Sequence, residues 1–193
     1  MEITIVTIII AYICGSISSA ILICRFKKLP DPRTIGSKNP GTTNISRINK
    51  KIAIIVLLLD ILKGAIPMWL AQILNIPTFW LGTIPIVTCM GHIYPIFFKF
   101  CGGKGMATAF GALTTISLNL SGLMFCIWSI TVLLSGFASL GSIITLTIIP
   151  FYTWLFYPQY ALQITILAII ILIQHQSNAQ RLINGRENNI WKS

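Results

Sequence analysis

Three short polar segments carry most of the residue types that could do chemistry. The first is Gly36-Ser37-Lys38-Asn39-Pro40-Gly41-Thr42-Thr43-Asn44, with Arg47 just beyond. Glycines let successive backbone N–H groups converge on an anionic oxygen. Ser37, Asn39, Thr43 and Asn44 offer side-chain donors, and Arg47 can grip a phosphate bidentately. The second comprises Gly91-His92 and then Lys99 to Thr108, in which Gly102, Gly103 and Gly105 surround Lys104 just before a helix. That arrangement suits a phosphate cradle. It is not a P-loop, because Phe98 and Gly105 stand where that motif needs a glycine and a Ser or Thr. The third is Gln174-His175-Gln176-Ser177-Asn178, followed by Arg181 and Gly185-Arg186-Glu187. His175 and Asn178 are three apart and share a helix face. Each segment also has a plainer reading: a polar loop, a helix-end histidine bonded to backbone, an interfacial helix cap.

These segments stand out because the rest of the chain is so apolar. From Gly105 to Gln180, 76 residues pass without a Lys, Arg, Asp or Glu. With 193 residues and 55% apolar side chains, the chain is expected to be a single all-α integral membrane unit over 1–193. A crossing needs about 20 predominantly apolar residues. Expected spans run from Ile3 to Cys24, Ile52 to Leu74 and Phe79 to Phe98. Eight of the 14 basic residues fall between Arg25 and Lys51, which places that segment in the cytoplasm and the N-terminus outside. The charge-free stretch has basic flanks on both sides, so an even number of crossings lies within it. Weak breaks at Asn119, Ser135-Gly136 and Tyr157-Pro158-Gln159 favour four. The expectation is a seven-span helical bundle with a cytoplasmic C-terminus, five spans being the alternative. All three polar segments would then emerge at one membrane face, where they could hold a substrate with a phosphate head and an apolar tail.

The net charge of +10 follows from this topology, and no nucleic-acid reading motif accompanies it. Five cysteines without C-x-x-C pairing indicate neither a zinc site nor a disulfide framework. The first apolar run has Glu2 before it and basic residues after it, the reverse of a signal peptide. Asp60 and Lys63 are charges within a span, three apart on one face, and can pair with each other or serve the substrate. A transporter would instead spread its polar residues through several spans.

The motifs resemble those of the bacterial acyl-phosphate:glycerol-3-phosphate acyltransferases, the PlsY family, essentially end to end. The resemblance rests on Gly15-Ser16, on Gly36-Ser37-x-Asn39-x-Gly41-x-Thr43-Asn44-x-x-Arg47 and on Asp60-x-x-Lys63-Gly64. It continues through Gly91-His92-x-x-Pro95, Gly102-Gly103-Lys104-Gly105-x-Ala107-Thr108 and Ser139-x-x-Ser142. It implies transfer of a fatty acyl group from acyl phosphate to the 1-hydroxyl of glycerol 3-phosphate, giving lysophosphatidic acid and inorganic phosphate. Ser37, Arg47, Lys104, His175 and Asn178 would be catalytic. Gly36, Asn39, Gly41, Thr43, Asn44, His92, Gly102, Gly103, Gly105, Thr108, Ser139 and Ser142 would bind substrate. No metal, cofactor, CoA or carrier-protein thioester is implied. The setting would be the bacterial inner membrane, with the site facing the cytoplasm, among membrane lipids and other phospholipid-synthesis enzymes. The chain departs from the family pattern at Gln174 and Gln176, where arginines are usual. It departs also at Ser18 in place of a proline, and at Ser135 and Gly136 in place of basic residues.

Overall fold

A computed structural model describes residues 1–191, and among these the chain is helical, with no strand. The helices are α1 (Glu2–Gly15), α2 (Ser19–Phe26), α3 (Thr42–Ile45), α4 (Lys50–Ile73), α5 (Thr78–Ile93), α6 (Met106–Thr114), α7 (Leu118–Ser135), α8 (Ala138–Phe156), α9 (Pro158–Gln174) and α10 (Gln176–Ile183). They form two compact units, Met1–Thr115 and the chain from Ile116 onward.

Helix α4 shows that lipid is the solvent. Ile54, Leu58, Ile66, Trp69 and Ile73 are each more than half exposed, while Asp60 and Lys63 are buried. Water would reverse that pattern. Among the described residues, four helices are long and apolar enough to cross a membrane, and six spans result if the bent pairs α1/α2 and α9/α10 each count as one. Helix α6 has only nine residues, about 13 Å of rise, too short to cross a hydrocarbon core of about 30 Å by itself.

In the first unit, glycines set the helix spacing. A Cβ on Gly64 would lie 2.9 Å from the Thr108 carbonyl carbon, and one on Gly111 would lie 2.7 Å from that of Ile61. Helices α4 and α6 therefore cross backbone to backbone, as small residues allow in membranes. Gly15 and Gly91 do the same for α1 and α5. A small core of Ala20, Cys24, Ile45, Ala53 and Val56 packs α2 and α3 against the start of α4, anchoring both ends of the loop that holds the first polar segment.

The span expected from Ile3 to Cys24 is broken: α1 and α2 meet at 44° across Gly15–Ser18. Small and hydroxyl residues there are weak helix formers. In lipid the freed backbone groups need partners, and Lys63 supplies one, its Nζ donating to the Ile17 carbonyl at 3.0 Å.

The second unit is an up-and-down series of α7, α8 and α9. Gly136 (φ +76°) ends α7 and Pro158 starts α9, as the expected breaks require. The break expected at Asn119 falls earlier. Ser117 accepts from the Asn119 and Leu120 N–H groups and caps α7, so Asn119 lies inside the helix. After α10 the chain folds back onto the α7–α8 turn, with the Asn189 amide donating to the Ser135 carbonyl and the Ile190 N–H to the Gly136 carbonyl.

Candidate active site

The loop between α2 and α4 is shaped from beneath by Asn44, which is 2% exposed. Its amide donates to the carbonyls of Pro32 (2.8 Å) and Ile35 (3.1 Å), and its Oδ1 accepts the Ser37 N–H at 3.0 Å. Gly36 takes φ +54°, with the Asn44 amide and the Arg47 guanidinium where a Cβ would stand. Arg33 forks onto Asp31, its closest bond 2.6 Å, and donates from Nη1 to the Phe98 carbonyl at 3.2 Å. That last bond ties this loop to the turn before the glycine-lysine segment. The Arg33 hydrogen bonds hold the Asp31 carboxyl below the usual carboxylate range.

This geometry corrects the expected backbone nest. The Ser37 N–H belongs to Asn44, the Lys38 N–H bonds the Ile35 carbonyl, and the Gly41 N–H bonds that of Asn39. Asn44, expected as a phosphate donor, spends its amide within the loop. The exposed groups are the side chains of Ser37, Lys38, Thr43 and Arg47, with Asn39 half-buried.

The glycine-lysine segment is corrected in the same way. The N–H groups of Gly102 and Gly103 donate to the carbonyls of Ile93 and His92, each at 3.1 Å, so both are satisfied within the chain. Lys104 is half-buried. Gly105, at φ +96°, precedes α6 without a side-chain cap, leaving the helix's first N–H groups without intrahelical partners. Thr108, within α6, is fully buried, and its hydroxyl finds no partner.

His92 caps nothing on the backbone. Its Nδ1 faces Asp60 Oδ1 at 3.8 Å and has no hydrogen bond. The same Asp60 oxygen accepts Ser19 Oγ at 2.6 Å and pairs with Lys63 Nζ at 2.8 Å. The pairing open to Asp60 and Lys63 in the sequence is thus made.

In the second unit, His175 sits at a 55° bend between α9 and α10, closing the first helix and opening the second, while Asn178 lies within α10. Its Nδ1 lies 2.9 Å from the Ile171 carbonyl. Asn178 donates to Glu187 Oε1 at 2.6 Å, Ser139 donates to the same oxygen at 2.8 Å, and Arg181 Nε donates to Oε2 at 2.7 Å. Burial raises the Glu187 carboxyl, but these three donors outweigh it and hold the group below its ordinary value. Ser142 is engaged between helices, accepting from Trp128 Nε1 at 3.3 Å and donating to the Ala138 carbonyl at 3.1 Å. Glu187 is the residue that motif reasoning passed over. A signal was present: it is the only acid after Asp60, and a lone acid near a membrane boundary must find donors.

The likeness to known proteins covers nearly the whole chain. The family model for glycerol-3-phosphate acyltransferase matches residues 5–185. The glycerol-3-phosphate acyltransferase of Proteus mirabilis is 55% identical over 185 residues, covering 95% of this chain and 85% of its own length. That of Yersinia pestis is 56% identical, with 95% and 86% covered. The crystal structure of PlsY, an integral membrane glycerol 3-phosphate acyltransferase, in its glycerol 3-phosphate form matches with a TM-score of 0.91 at 32% identity, covering 96% of this chain and 94% of that one. Its lysophosphatidic acid form matches with 0.89 at 30% identity, with the same coverage. Lipid-facing helices and relatives over half identical agree, and the chain belongs to the glycerol-3-phosphate acyltransferase family as a multi-pass membrane acyltransferase.

Proposed function

We propose that this enzyme transfers a fatty acyl group from acyl phosphate to the 1-hydroxyl of glycerol 3-phosphate, releasing lysophosphatidic acid and inorganic phosphate. The observation that carries the reading is the first polar loop. Ser37 and Arg47 stand exposed on a backbone locked by Asn44 and tied through Arg33 to the turn that leads to Lys104. A structural relative 32% identical was solved in a glycerol 3-phosphate form.

Acyl phosphate is a mixed anhydride with a good leaving group, so positioning and charge stabilisation suffice for catalysis. Arg47 takes a phosphate group, and Ser37 orients that phosphate or the attacking hydroxyl. The 1-hydroxyl oxygen attacks the acyl carbonyl carbon and the new ester C–O bond forms. The bond from that carbon to the bridging phosphate oxygen breaks, its electron pair leaves with phosphate, and a phosphate oxygen accepts the hydroxyl proton. Lys104 binds the phosphate of glycerol 3-phosphate, and the first N–H groups of α6 carry the negative charge that develops. The mechanism uses no metal or thioester.

The topology in this reading has seven crossings, the fourth made by the short α6 together with the chain that flanks it, with the N-terminus outside and the C-terminus in the cytoplasm. The basic segment from Arg25 to Lys51 supports that orientation in a bacterial inner membrane. The whole chain acts as one acyltransferase domain, in line with the family match across residues 5–185. His175 and Asn178 remain in the catalytic set to be tested, and the reading leaves association with other phospholipid-synthesis enzymes open.

The test is formation of lysophosphatidic acid by purified protein supplied with glycerol 3-phosphate and either acyl phosphate, which would release inorganic phosphate, or acyl-CoA, which would release free CoA. Wild type should use only the phosphate donor. Ser37→Ala, Arg47→Ala, Lys104→Ala, His175→Ala and Asn178→Ala should each lose activity while still folding. Turnover with acyl-CoA alone would overturn the donor assignment, and full activity in any variant would remove that residue from the set.

A further inference from the structure

The mechanism above leaves one buried charged cluster unused. Asp60 and Lys63 lie inside α4, 2% and 9% exposed, joined at 2.8 Å. Buried ion pairs of this kind contribute little net stability, and apolar replacements often do as well. What distinguishes this pair is what it faces. Lys63 Nζ holds the Ile17 carbonyl at the α1–α2 break, and Ser19 Oγ donates to Asp60. On the other side, His92 Nδ1 lies 3.8 Å from Asp60 Oδ1 with no hydrogen bond of its own. The far edge of that ring rests on Gly103: a Cβ there would lie 2.9 Å from His92 Cε1 and closer still to Nε2. Backbone bonds from Gly103 to His92 and from Gly102 to Ile93 then clamp the segment immediately before Lys104.

We propose that Asp60, Lys63 and His92 are positioning residues, in which the buried carboxylate orients the imidazole and the imidazole sets where Gly103, and so Lys104, sits. The proton a histidine carries is placed by the partner its nitrogens face. A carboxylate opposite Nδ1 favours a proton there and turns the ring's other nitrogen toward Gly103. Without that charge the ring has no reason to keep one orientation, and the glycine contact loosens. Glycine is required at 103 because the ring occupies the space of a side chain. The inference rests on Lys104 being a phosphate ligand, as proposed above, and adds what fixes it in place.

The decisive variant is Asp60→Asn/Lys63→Gln. Asparagine still accepts from Ser19 and glutamine still donates to the Ile17 carbonyl, so no buried charge is stranded and the fold has its bonds. Its thermal transition should stay near wild type and kcat should change little. KM for glycerol 3-phosphate should rise about ten- to a hundredfold, the range typical of lost outer-shell orientation. His92→Gln should raise KM similarly, and the triple variant should be no worse than either, because all act along one path. Cys101 is exposed beside Gly102 and serves as a reporter of the loop. In a Cys14→Ala/Cys126→Ser background, its maleimide labelling should quicken several-fold in the double variant. Wild-type KM together with an unchanged Cys101 rate would overturn the proposal. Should the double variant not fold, His92→Gln decides, with an unchanged KM counting against it. Absence of turnover in the wild-type protein would instead sink the acyltransfer reading, while the Cys101 rates would still report on the loop.

Discussion

Replacing Gly111 by alanine adds one methyl group at the tightest helix crossing in the first unit. The new Cβ would lie 2.7 Å from the Ile61 carbonyl carbon and nearer still to its oxygen, whereas ordinary contact begins at 3.4 Å. Neither atom can yield alone, because both belong to the backbone of α4. Helix α6 must therefore retreat by about 1 Å or slightly more, a displacement large enough to cost about a hundredfold in rate where reacting groups are involved. The strain should cost about 1–3 kcal/mol of stability. The first N–H groups of α6, proposed to hold the charge that develops, move with it, so the loss should appear in turnover before the fold fails. Phosphate release by purified Gly111→Ala protein, beside its thermal transition in detergent, reads both quantities. Gly122→Ala is the control: on α7 nothing lies within 4 Å of the added methyl, so activity and stability should be unchanged. Wild-type turnover by Gly111→Ala would refute the link between the α4–α6 spacing and the reaction.

Two further outcomes follow from other parts of the molecule. Gly36→Ala forces an L side chain into φ +54°, against the Asn44 amide and 3.0 Å from Arg47 Nη1; the strain costs about 1–2 kcal/mol, and KM for glycerol 3-phosphate should rise as Arg47 is displaced. Glu187 has its carboxyl held low in the fold, so its contribution is complete above the unfolded carboxylate value of about 4.3 and disappears as pH falls through the lower folded value. Glu187→Gln should lose about 1.5–3 kcal/mol at neutral pH and show a flatter decline in thermal stability on acidification; an acid limb identical to wild type would contradict this.

Much of the architecture was legible because lipid enforces simple rules. A stretch of 76 residues without Lys, Arg, Asp or Glu has few ways to fold, and Ser135-Gly136 and Tyr157-Pro158 end helices by local chemistry alone. The pairing open to Asp60 and Lys63 follows from their spacing. What the sequence hid were decisions made by distant partners. Nothing near Gly36 shows that Asn44 would take the Ser37 N–H, and nothing near Gly102 shows that the end of α5 would take the next two. A glycine-rich segment has the freedom to present its N–H groups to an anion, but the same freedom lets it satisfy them internally. In the first loop the exposed groups are therefore side chains, those of Ser37, Lys38, Thr43 and Arg47.

The break in the first span makes the same point about charge. Ile3 to Cys24 reads as one uninterrupted crossing because no residue in it is charged, yet the helix opens at Gly15–Ser18. The explanation lies 46 positions away, in Lys63 and its bond to the Ile17 carbonyl. A lysine within hydrocarbon is costly unless it is paired, and an open backbone carbonyl there is costly unless it has a donor. Each defect removes the cost of the other, and Asp60 balances the remaining charge. A charged residue inside a span is thus a marker for a helix break elsewhere in the fold, and the residue and the break have to be found together.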